Sequence, residues 1–230
     1  DTIKKLSDYS LLNGSPIRFM GVPKTIDNDL AATDHTPGYG SAAKYIGSIT
    51  KEVIRDGLVY DQQSVTILEI MGRNAGWLTG AAALARCEDC EGPDMIFLPE
   101  VTFDVDKFMN QVARLHEKKK SVVVAVSEGV KLADGRYVCE LTDGINFVDA
   151  FGHKQLTGTA RYLAEKINRD VGCKTRAIEF NTLQRCASHI VSRVDITEAY
   201  QVGGAAVKEA FEGETGKMVI LKRVSDDPYI

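Results

Sequence analysis

The chain has 230 residues, of which 44% are hydrophobic and 26% are charged, and its formal net charge is −4. This composition is that of a globular protein with a substantial core. The acidic balance argues against nucleic acid as a principal partner, and no apolar run reaches membrane-spanning length, so we expect no membrane association. Five scattered cysteines, an odd number, are typical of a protein of the reducing cytoplasm.

Strands and helices alternate along the sequence, which predicts an α/β fold with parallel sheets and helical crossovers. A helical pattern at the start (Ile3, Leu6, Tyr9) is followed by a short apolar strand (Ile17, Phe19, Val22) that ends at Pro23. The next predicted elements are helix 40–55, strand 65–71, helix 74–86, strand 95–98, helix 105–118, strand 122–126, helix 157–171, strand 176–180, helix 197–211 and strand 218–221. Residues 129–152, with two Asp-Gly pairs, predict an irregular excursion or lid.

Neither end of the chain has the features expected of a complete doubly wound domain. Such a sheet begins with a strand and a glycine-rich turn, and this sequence begins with a helical pattern instead. We therefore expect an excised segment, truncated at both ends.

Cys87 and Cys90 form a CxxC pair. No second pair completes a zinc site, and a redox pair requires a βαβ context that opens on the first cysteine, whereas Cys87 follows a predicted helix. The sequence does not favour either use of the pair.

The segment GVPKTIDNDL, residues 21–30, carries the most informative chemistry. Lys24, Thr25, Asp27, Asn28 and Asp29 follow a predicted strand, and open α/β sheets bind ligands at the carboxyl ends of their strands. A lysine can bind phosphate oxygens, and a carboxylate can hold Mg²⁺ or accept a hydroxyl proton. Phosphoryl transfer needs these groups, because its catalysis depends mainly on positioning and charge stabilisation.

This segment resembles the catalytic signature of the phosphofructokinases, in the form found in pyrophosphate-dependent members. The resemblance extends over most of the chain through DHTPGYGSA (34–42), EIMGRNAGW (69–77), LPE (98–100), SEG (127–129), TRA (175–177) and QR (184–185). PKTIDND together with MGRNAG is specific, whereas the short motifs alone are not. The resemblance implies a two-domain phosphofructokinase-like α/β fold, with residues 1–38 in the phosphoryl-donor domain, 39–183 in the sugar-phosphate domain and 184–230 returning to the donor domain.

The same resemblance implies a cytoplasmic, glycolytic-type phosphotransferase that moves a phosphoryl group from pyrophosphate or ATP to the 1-hydroxyl of fructose 6-phosphate, with Mg²⁺ as cofactor. We expect the full-length protein to form homo-oligomers and this segment alone to be inactive. Lys24 favours pyrophosphate, because a donor without adenosine must be bound through charge. The residue that decides the donor in the family follows a GGD motif, which this sequence does not contain.

Residue roles follow by matching the family's motifs. Asp27 matches the general base, Asp29 a metal or positioning carboxylate, and Thr25 offers a hydroxyl and an amide to the transferred group. Lys24 is expected to bind the donor. The matches for the sugar phosphate are Met71, Gly72, Arg73, Glu128, Arg176 and Arg185; Arg73 is also expected to offset charge on the moving phosphoryl group, and in the family the arginine matching Arg176 comes from a neighbouring subunit.

Two positions depart from the family pattern. Ser64 stands where many members have another phosphate-binding arginine, and Thr182 stands where a histidine precedes QRGG. Each lost charge-assisted hydrogen bond costs roughly 1.5–3 kcal/mol unless another group replaces it. Two alternatives therefore stay open: a non-catalytic regulatory paralogue that binds sugar phosphate, and a kinase of a related acceptor such as sedoheptulose 7-phosphate.

Overall fold

The structure is a computed structural model that describes residues 2–142 and 156–230. In these ranges the elements are α1 (Thr2–Leu12), β1 (Met20–Gly21), α2 (Tyr39–Leu58), β2 (Ser64–Ile70), α3 (Trp77–Gly80), β3 (Met95–Phe97), α4 (Val105–His116), β4 (Ser121–Ser127), α5 (Thr159–Val171), β5 (Lys174–Glu179), α6 (Leu183–Cys186), α7 (Arg193–Glu212) and β6 (Lys217–Met218). Short 3₁₀ helices cover Ala81–Ala85, Val138–Leu141 and Ser188–Ile190.

The chain divides into two compact units, Asp1–Ser41 with Val191–Ile230, and Ala42–Ile190. The predicted boundaries at residues 38 and 183, and the assignment of a donor and a sugar-phosphate domain, stay predictions. No helix in the described ranges is both long and apolar enough to cross a membrane.

The first unit contains a two-stranded parallel sheet of β1 and β6, in which Met20 pairs with Lys217 and Gly21 with Met218. The apolar patterns predicted longer strands at both places. Pro23 lacks an N–H, so it cannot continue the ladder beyond β1. Two further backbone bonds, Gly216 N–H to Phe19 and Val219 N–H to Gly21, flank the pair without lengthening the strands.

The second unit is built on a four-stranded parallel sheet with the order β3-β4-β2-β5. Strand β2 lies between β4 and β5, so all seven of its residues are buried. Its apolar residues (Val65, Ile67, Leu68 and Ile70) point to both faces, as expected for a strand that is covered on both sides, and its three polar residues (Ser64, Thr66 and Glu69) are buried with them. The core packs α4 and α5 against the sheet and includes Val65, Ile67, Phe108, Val112, Val124, Leu163 and Ile167. The α/β class with parallel sheets is confirmed.

Two of the second unit's helices illustrate the signals that the sequence carries. Asp104 caps α4 by accepting a hydrogen bond from the Lys107 N–H at 2.9 Å. Helix α5 ends at Gly172, whose φ of 76° suits a left-handed C-cap. Helix α4 therefore starts, and helix α5 ends, at the residue predicted from the apolar spacing.

The predicted helix 74–86 is wrong in length and type. Only Trp77–Gly80 is α-helical, and Ala81–Ala85 continues as a 3₁₀ helix. The N–H of Gly76 is bound to the Glu100 side chain at 2.7 Å, which delays the helix start. At the far end, Arg86 leads directly into a hairpin at Cys87–Cys90.

The predicted excursion at 129–152 is described up to residue 142. Lys131 and Tyr137 form an antiparallel bridge there, and a 3₁₀ helix follows. Residues 143–152 of the predicted lid lie outside the described ranges.

Candidate active site

The segment 24–30 follows β1 in the first unit as an irregular loop. Lys24 and Asp29 are exposed, whereas Thr25 and Asp27 are half-buried. The cation predicted to bind the donor and the carboxylate predicted to hold a metal are therefore accessible to charged ligands. The predicted base lies on the same loop, two residues before Asp29.

Hydrogen bonds within the first unit fix the shape of this loop. The Asp27 N–H donates to the Thr25 hydroxyl oxygen at 3.1 Å, and the Thr36 hydroxyl donates to the Thr25 carbonyl at 2.6 Å. The Thr36 N–H also donates to the Asn28 side chain at 2.9 Å. Asn28 has a φ of 56°, a left-handed conformation that asparagine tolerates better than most residues. The DHT part of the second motif thus holds the PKTIDND loop in one conformation.

A buried aspartate fixes the next part of the chain. Asp195, in the first turn of α7 and 5% exposed, accepts from the Gly38 N–H at 2.6 Å, the Ser41 N–H at 2.9 Å and the Ser41 hydroxyl at 2.5 Å. Gly38 has a φ of 101°, which a side chain disfavours. Sequence reasoning missed Asp195, because its partners are more than 150 residues away along the chain.

His35 stands between two carboxylates of the first unit. Its Nδ1 lies 2.8 Å from Asp34 and its Nε2 lies 2.8 Å from Glu198 on α7. Burial acts to lower the pKa of His35, but the hydrogen bonds to both carboxylates outweigh it and raise that pKa above its ordinary value. Hydrogen bonds from Arg223 and then His35 lower the pKa of Asp34. The loop's far end is therefore held by a charged network.

In the second unit, Met71-Gly72-Arg73 follows the carboxyl end of β2 and meets the end of β4. The Ser127 hydroxyl donates to the Gly72 carbonyl at 2.6 Å, and the Gly72 N–H points at the Glu128 carboxylate at 3.4 Å. Gly72 has a φ of 131°, which requires glycine. A Cβ on Gly129 would lie closer than 3.0 Å to the Arg73 backbone, so the two loops touch main chain to main chain. The structure brings Gly72, Arg73 and Glu128 together.

The QR segment lies beside the same loop through Gln184, which is 2% exposed. Its side-chain oxygen accepts from the Met71 N–H at 3.2 Å, and its side-chain nitrogen donates to the Asn181 carbonyl at 3.0 Å. Arg185, the next residue, is exposed on α6. Sequence reasoning gave Gln184 no role, although its position directly before Arg185 was a signal.

Arg176 does not lie at the carboxyl ends of the strands, where Arg73 and Glu128 are found. It pairs with Thr66 in the middle of β2, and its guanidinium lies 5.5 Å from the centre of the Tyr60 ring. Ser64 lies at the amino end of β2 and is 2% exposed. Within this unit, Arg176 therefore lies away from Arg73 and Glu128.

Glu69 is a buried carboxylate at the carboxyl edge of the sheet that sequence reasoning also left without a role. It is 4% exposed and accepts from the Ala160 N–H at the start of α5 at 2.7 Å. Burial raises the pKa of Glu69 to about 7, with smaller contributions from the charges of Glu179 and Glu128, while the amides of Ala160 and Gly158 act in the opposite direction. Its ionisation therefore falls near neutral pH.

Within residues 2–142 and 156–230, no three histidine, cysteine, aspartate or glutamate side chains are grouped so that they alone could hold a metal ion. A Mg²⁺ ion in phosphoryl transfer needs only one or two carboxylates, because water and substrate phosphates complete its octahedron. The exposed carboxylate of Asp29 fits that requirement.

Known proteins resemble this chain in sequence and in fold. The phosphofructokinase family model matches residues 1–210. A pyrophosphate–fructose 6-phosphate 1-phosphotransferase of Halomonas elongata is 42% identical over the whole chain and 54% of its own length, and a sulfofructose kinase of Alkalicoccus urumqiensis is 34% identical over 91% of the chain and 53% of its own length. The crystal structure of a pyrophosphate-dependent phosphofructokinase from Nitrosospira multiformis superposes with a TM-score of 0.83 at 36% identity, covering 100% of this chain and 54% of that one. The chain thus spans about half the length of these relatives. It belongs to the phosphofructokinase family.

Proposed function

We propose that the full-length protein transfers a phosphoryl group from pyrophosphate to the 1-hydroxyl of fructose 6-phosphate. The observation that carries the proposal is the PKTIDND loop, where an exposed lysine and an exposed aspartate flank Asp27 on a loop fixed by Thr36. Relatives named for this reaction support it at 42% and 41% identity.

Asp27 is the proposed general base. A sugar hydroxyl is a weak nucleophile at neutral pH, and a carboxylate that accepts its proton during attack accelerates the reaction by about 10²–10⁴-fold. The Asp27 N–H donates to the Thr25 hydroxyl oxygen, and the Thr36 hydroxyl donates to the Thr25 carbonyl. These two hydrogen bonds hold the backbone of Asp27 in place. Fixed geometry matters here, because catalysis of phosphoryl transfer is mostly positioning.

The remaining roles concern charge. Arg73 and Glu128, at adjacent strand ends, are proposed to bind the sugar phosphate. The Arg73 guanidinium would contact the anionic groups of the substrate, and the Glu128 carboxylate would accept hydrogen bonds from its hydroxyls. Arg185, exposed on α6, is proposed to contact the terminal phosphate. Asp29 would hold Mg²⁺ together with donor phosphates, and the ion would neutralise charge on the pyrophosphate.

Arg176 is proposed to act in the binding site of a neighbouring copy in a homo-oligomer. Its position in the middle of β5, stacked on Tyr60, separates it from Arg73 within its own unit. Cytoplasmic location remains part of the proposal, as do the role of Mg²⁺ and the use of pyrophosphate in preference to ATP.

A second acceptor is supported by one of the relatives. The family arginine is replaced by Ser64, which is buried, and the histidine by Thr182, so two of the family's cationic or donor groups are missing. The relative named sulfofructose kinase indicates that sugars with other terminal groups are accepted within the family. A related phosphorylated or sulfonated ketose is therefore the alternative acceptor.

The donor is tested with Lys24→Ala in the full-length protein. Loss of an ammonium that contacts pyrophosphate costs roughly 1.5–3 kcal/mol, so the KM for pyrophosphate should rise about 10- to 100-fold while the KM for fructose 6-phosphate changes little. Lys4→Ala, at an exposed lysine of α1, is the matched control. Efficient turnover of ATP with no activity on pyrophosphate would refute the donor assignment, and an equal rise in both KM values would refute the role of Lys24.

A further inference from the structure

A tight hairpin in the second unit places Cys87 opposite Cys90. The Cys87 N–H donates to the Cys90 carbonyl at 2.9 Å, and the Cys90 N–H donates back to the Cys87 carbonyl at 3.2 Å. Residues paired in this way have Cα atoms about 5.5 Å apart, and directly opposed side chains lie on the same face of the ladder. Disulfides join residues whose Cα atoms are about 4.4–6.8 Å apart. The backbone therefore already has the spacing that a bond between the two sulfurs requires.

The Cys87 sulfur is accessible and lies beside the ion pair of Lys51 and Asp89, whose charged atoms are 2.7 Å apart. Cys87 is exposed, whereas Cys90 is 7% exposed, and both are free thiols. The Lys51 ammonium on α2 donates to the Cys87 sulfur at 2.9 Å, and the Cys87 thiol lies 3.0 Å from the Asp89 carboxylate. Cysteines that react with disulfides combine solvent access with a neighbouring positive charge.

An open cavity gives a reagent access to the pair. Its volume is about 980 Å³, and both cysteines line it. Charged residues of both signs line it as well, the cations Arg55, Arg86, Lys119 and Lys120 and the carboxylates Glu88, Asp89, Glu91 and Asp94. A space of this size admits a small peptide-like molecule. Cys87 is the sulfur that such a molecule reaches first, because Cys90 is the more buried of the two.

We propose that Cys87 and Cys90 form a thiol–disulfide exchange site for small-molecule disulfides such as oxidised glutathione. The Cys87 thiolate attacks one sulfur of the reagent, which breaks the reagent's S–S bond, forms a mixed disulfide and releases one thiolate. Cys90, after losing its proton to solvent, attacks the Cys87 sulfur and releases the second thiolate. The protein loses two electrons and two protons, and the reagent gains them as two thiols.

The resulting bond should be easily reduced. Cys87 is exposed at the hairpin, and exposed disulfides are among the labile ones. The site is therefore reversible, which distinguishes it from a structural disulfide. This inference does not depend on the proposed phosphotransferase function.

To test the proposal, the full-length protein is treated with oxidised glutathione without denaturant. Peptide mass spectrometry then identifies which cysteines carry a disulfide or a bound glutathione. The wild type should give a Cys87–Cys90 disulfide that excess reduced glutathione reverses completely. Cys90→Ser should instead accumulate glutathione on Cys87, because the resolving thiol is missing. Cys186→Ser, at the other exposed cysteine, is the matched control and should leave the Cys87–Cys90 product unchanged.

A second measurement separates the role of Lys51. Lys51→Met should slow modification of Cys87 about two- to fivefold, the factor expected for an exposed charge pair, and leave modification of Cys186 unaltered. Wild-type protein that carries only mixed disulfides, Cys87 that reacts no faster than Cys186, or a Cys87–Cys90 bond that survives excess reduced glutathione would each overturn the proposal. The wild-type mapping decides the matter even where a variant fails to fold.

Discussion

Single residues determine how closely the loops at the carboxyl edge of the four-stranded sheet approach each other. Gly129 has no side chain where the Arg73 backbone passes, and Ser127 donates its hydroxyl to the Gly72 carbonyl at 2.6 Å. Gln184 supplies the acceptor for the Met71 N–H. The MGR, SEG and QR motifs lie far apart in the sequence. These contacts bring them together at the carboxyl ends of the strands.

Gly129→Ala tests this close approach. A Cβ there would fall within 3.0 Å of the Arg73 backbone, so the loop must move, at a cost of about 1–3 kcal/mol in the free energy of unfolding. If Arg73 binds the sugar phosphate, the KM for fructose 6-phosphate should rise more than kcat falls.

Gly203→Ala on α7 is the matched control, because a Cβ there meets nothing within 4 Å. Alanine should be neutral or slightly stabilising in that helix. Unchanged stability and KM in Gly129→Ala would show that the MGR and SEG loops do not depend on their contact.

At the scale of elements, Glu69 joins β2 to α5. Its carboxylate accepts from the Ala160 N–H, and its carbonyl accepts from the Phe180 N–H at 3.0 Å, where the turn toward α6 begins. A carboxylate at a helix N-terminus is favourable, but burial and the charges of Glu179 and Glu128 oppose its ionisation. The balance between these effects makes this junction sensitive to pH.

Glu69→Gln should remove that sensitivity. Because the folded-state pKa of about 7 lies above the ordinary value, the folded state holds this proton more tightly, and the resulting stability is present below about pH 4.5 and is lost as the pH rises through 7. Glutamine keeps an oxygen for the Ala160 N–H without the charge. Relative to the wild type, the variant should therefore become more stable as the pH rises from 5 to 8, by roughly 3 kcal/mol at most.

Urea unfolding of both proteins at several pH values measures this difference, and the pair at pH 5 is the internal control. A constant difference between the two unfolding free energies from pH 5 to pH 8 would contradict the raised pKa of Glu69.

The elements that the sequence predicted well are those whose own residues carry the signal. Strand β2 carries four apolar residues (Val65, Ile67, Leu68 and Ile70) that are buried because both faces of the strand are covered, and α4 starts at an aspartate cap. The helix at 74–86 was overestimated because the bond from Gly76 to Glu100 is not visible in local spacing. Asp195, Gln184 and Glu69 were missed for the same reason: each acts on a distant segment, and its residue type alone indicates only a polar side chain.

At the scale of the whole molecule, the chain spans about half the length of its relatives, so the proposed activity is that of a longer protein. The motifs PKTIDND and MGRNAG predicted the family, and the family match over residues 1–210 confirms it. The roles of individual residues could not be settled by sequence, because they depend on how the substrates bind and, in the case proposed for Arg176, on a neighbouring copy. Arg176 is the clearest example, since its place on β5 separates it from Arg73.

Subunit mixing tests the proposed role of Arg176. Asp27→Ser and Arg176→Ala proteins should each be nearly inactive alone. If Arg176 acts in a neighbouring copy, hybrids formed by unfolding and refolding the mixture contain sites with both residues intact, and an equimolar mixture of dimers should recover about a quarter of wild-type activity. No recovery in verified hybrids would show that Arg176 acts within its own copy or not at all.

The most direct measurement is fructose 1,6-bisphosphate formation from pyrophosphate, Mg²⁺ and fructose 6-phosphate by the full-length protein and its Asp27→Ser variant. We expect the wild type to turn over and the variant to show a kcat lower by about 10²–10⁴-fold, with the KM for fructose 6-phosphate changed little. Asn28→Gly, which keeps the backbone freedom but not the Thr36 contact, should lose less activity than Asp27→Ser. A variant Asp27→Ser with near-normal kcat, or a wild type that binds the sugar phosphate in calorimetry but never phosphorylates it, would contradict the account.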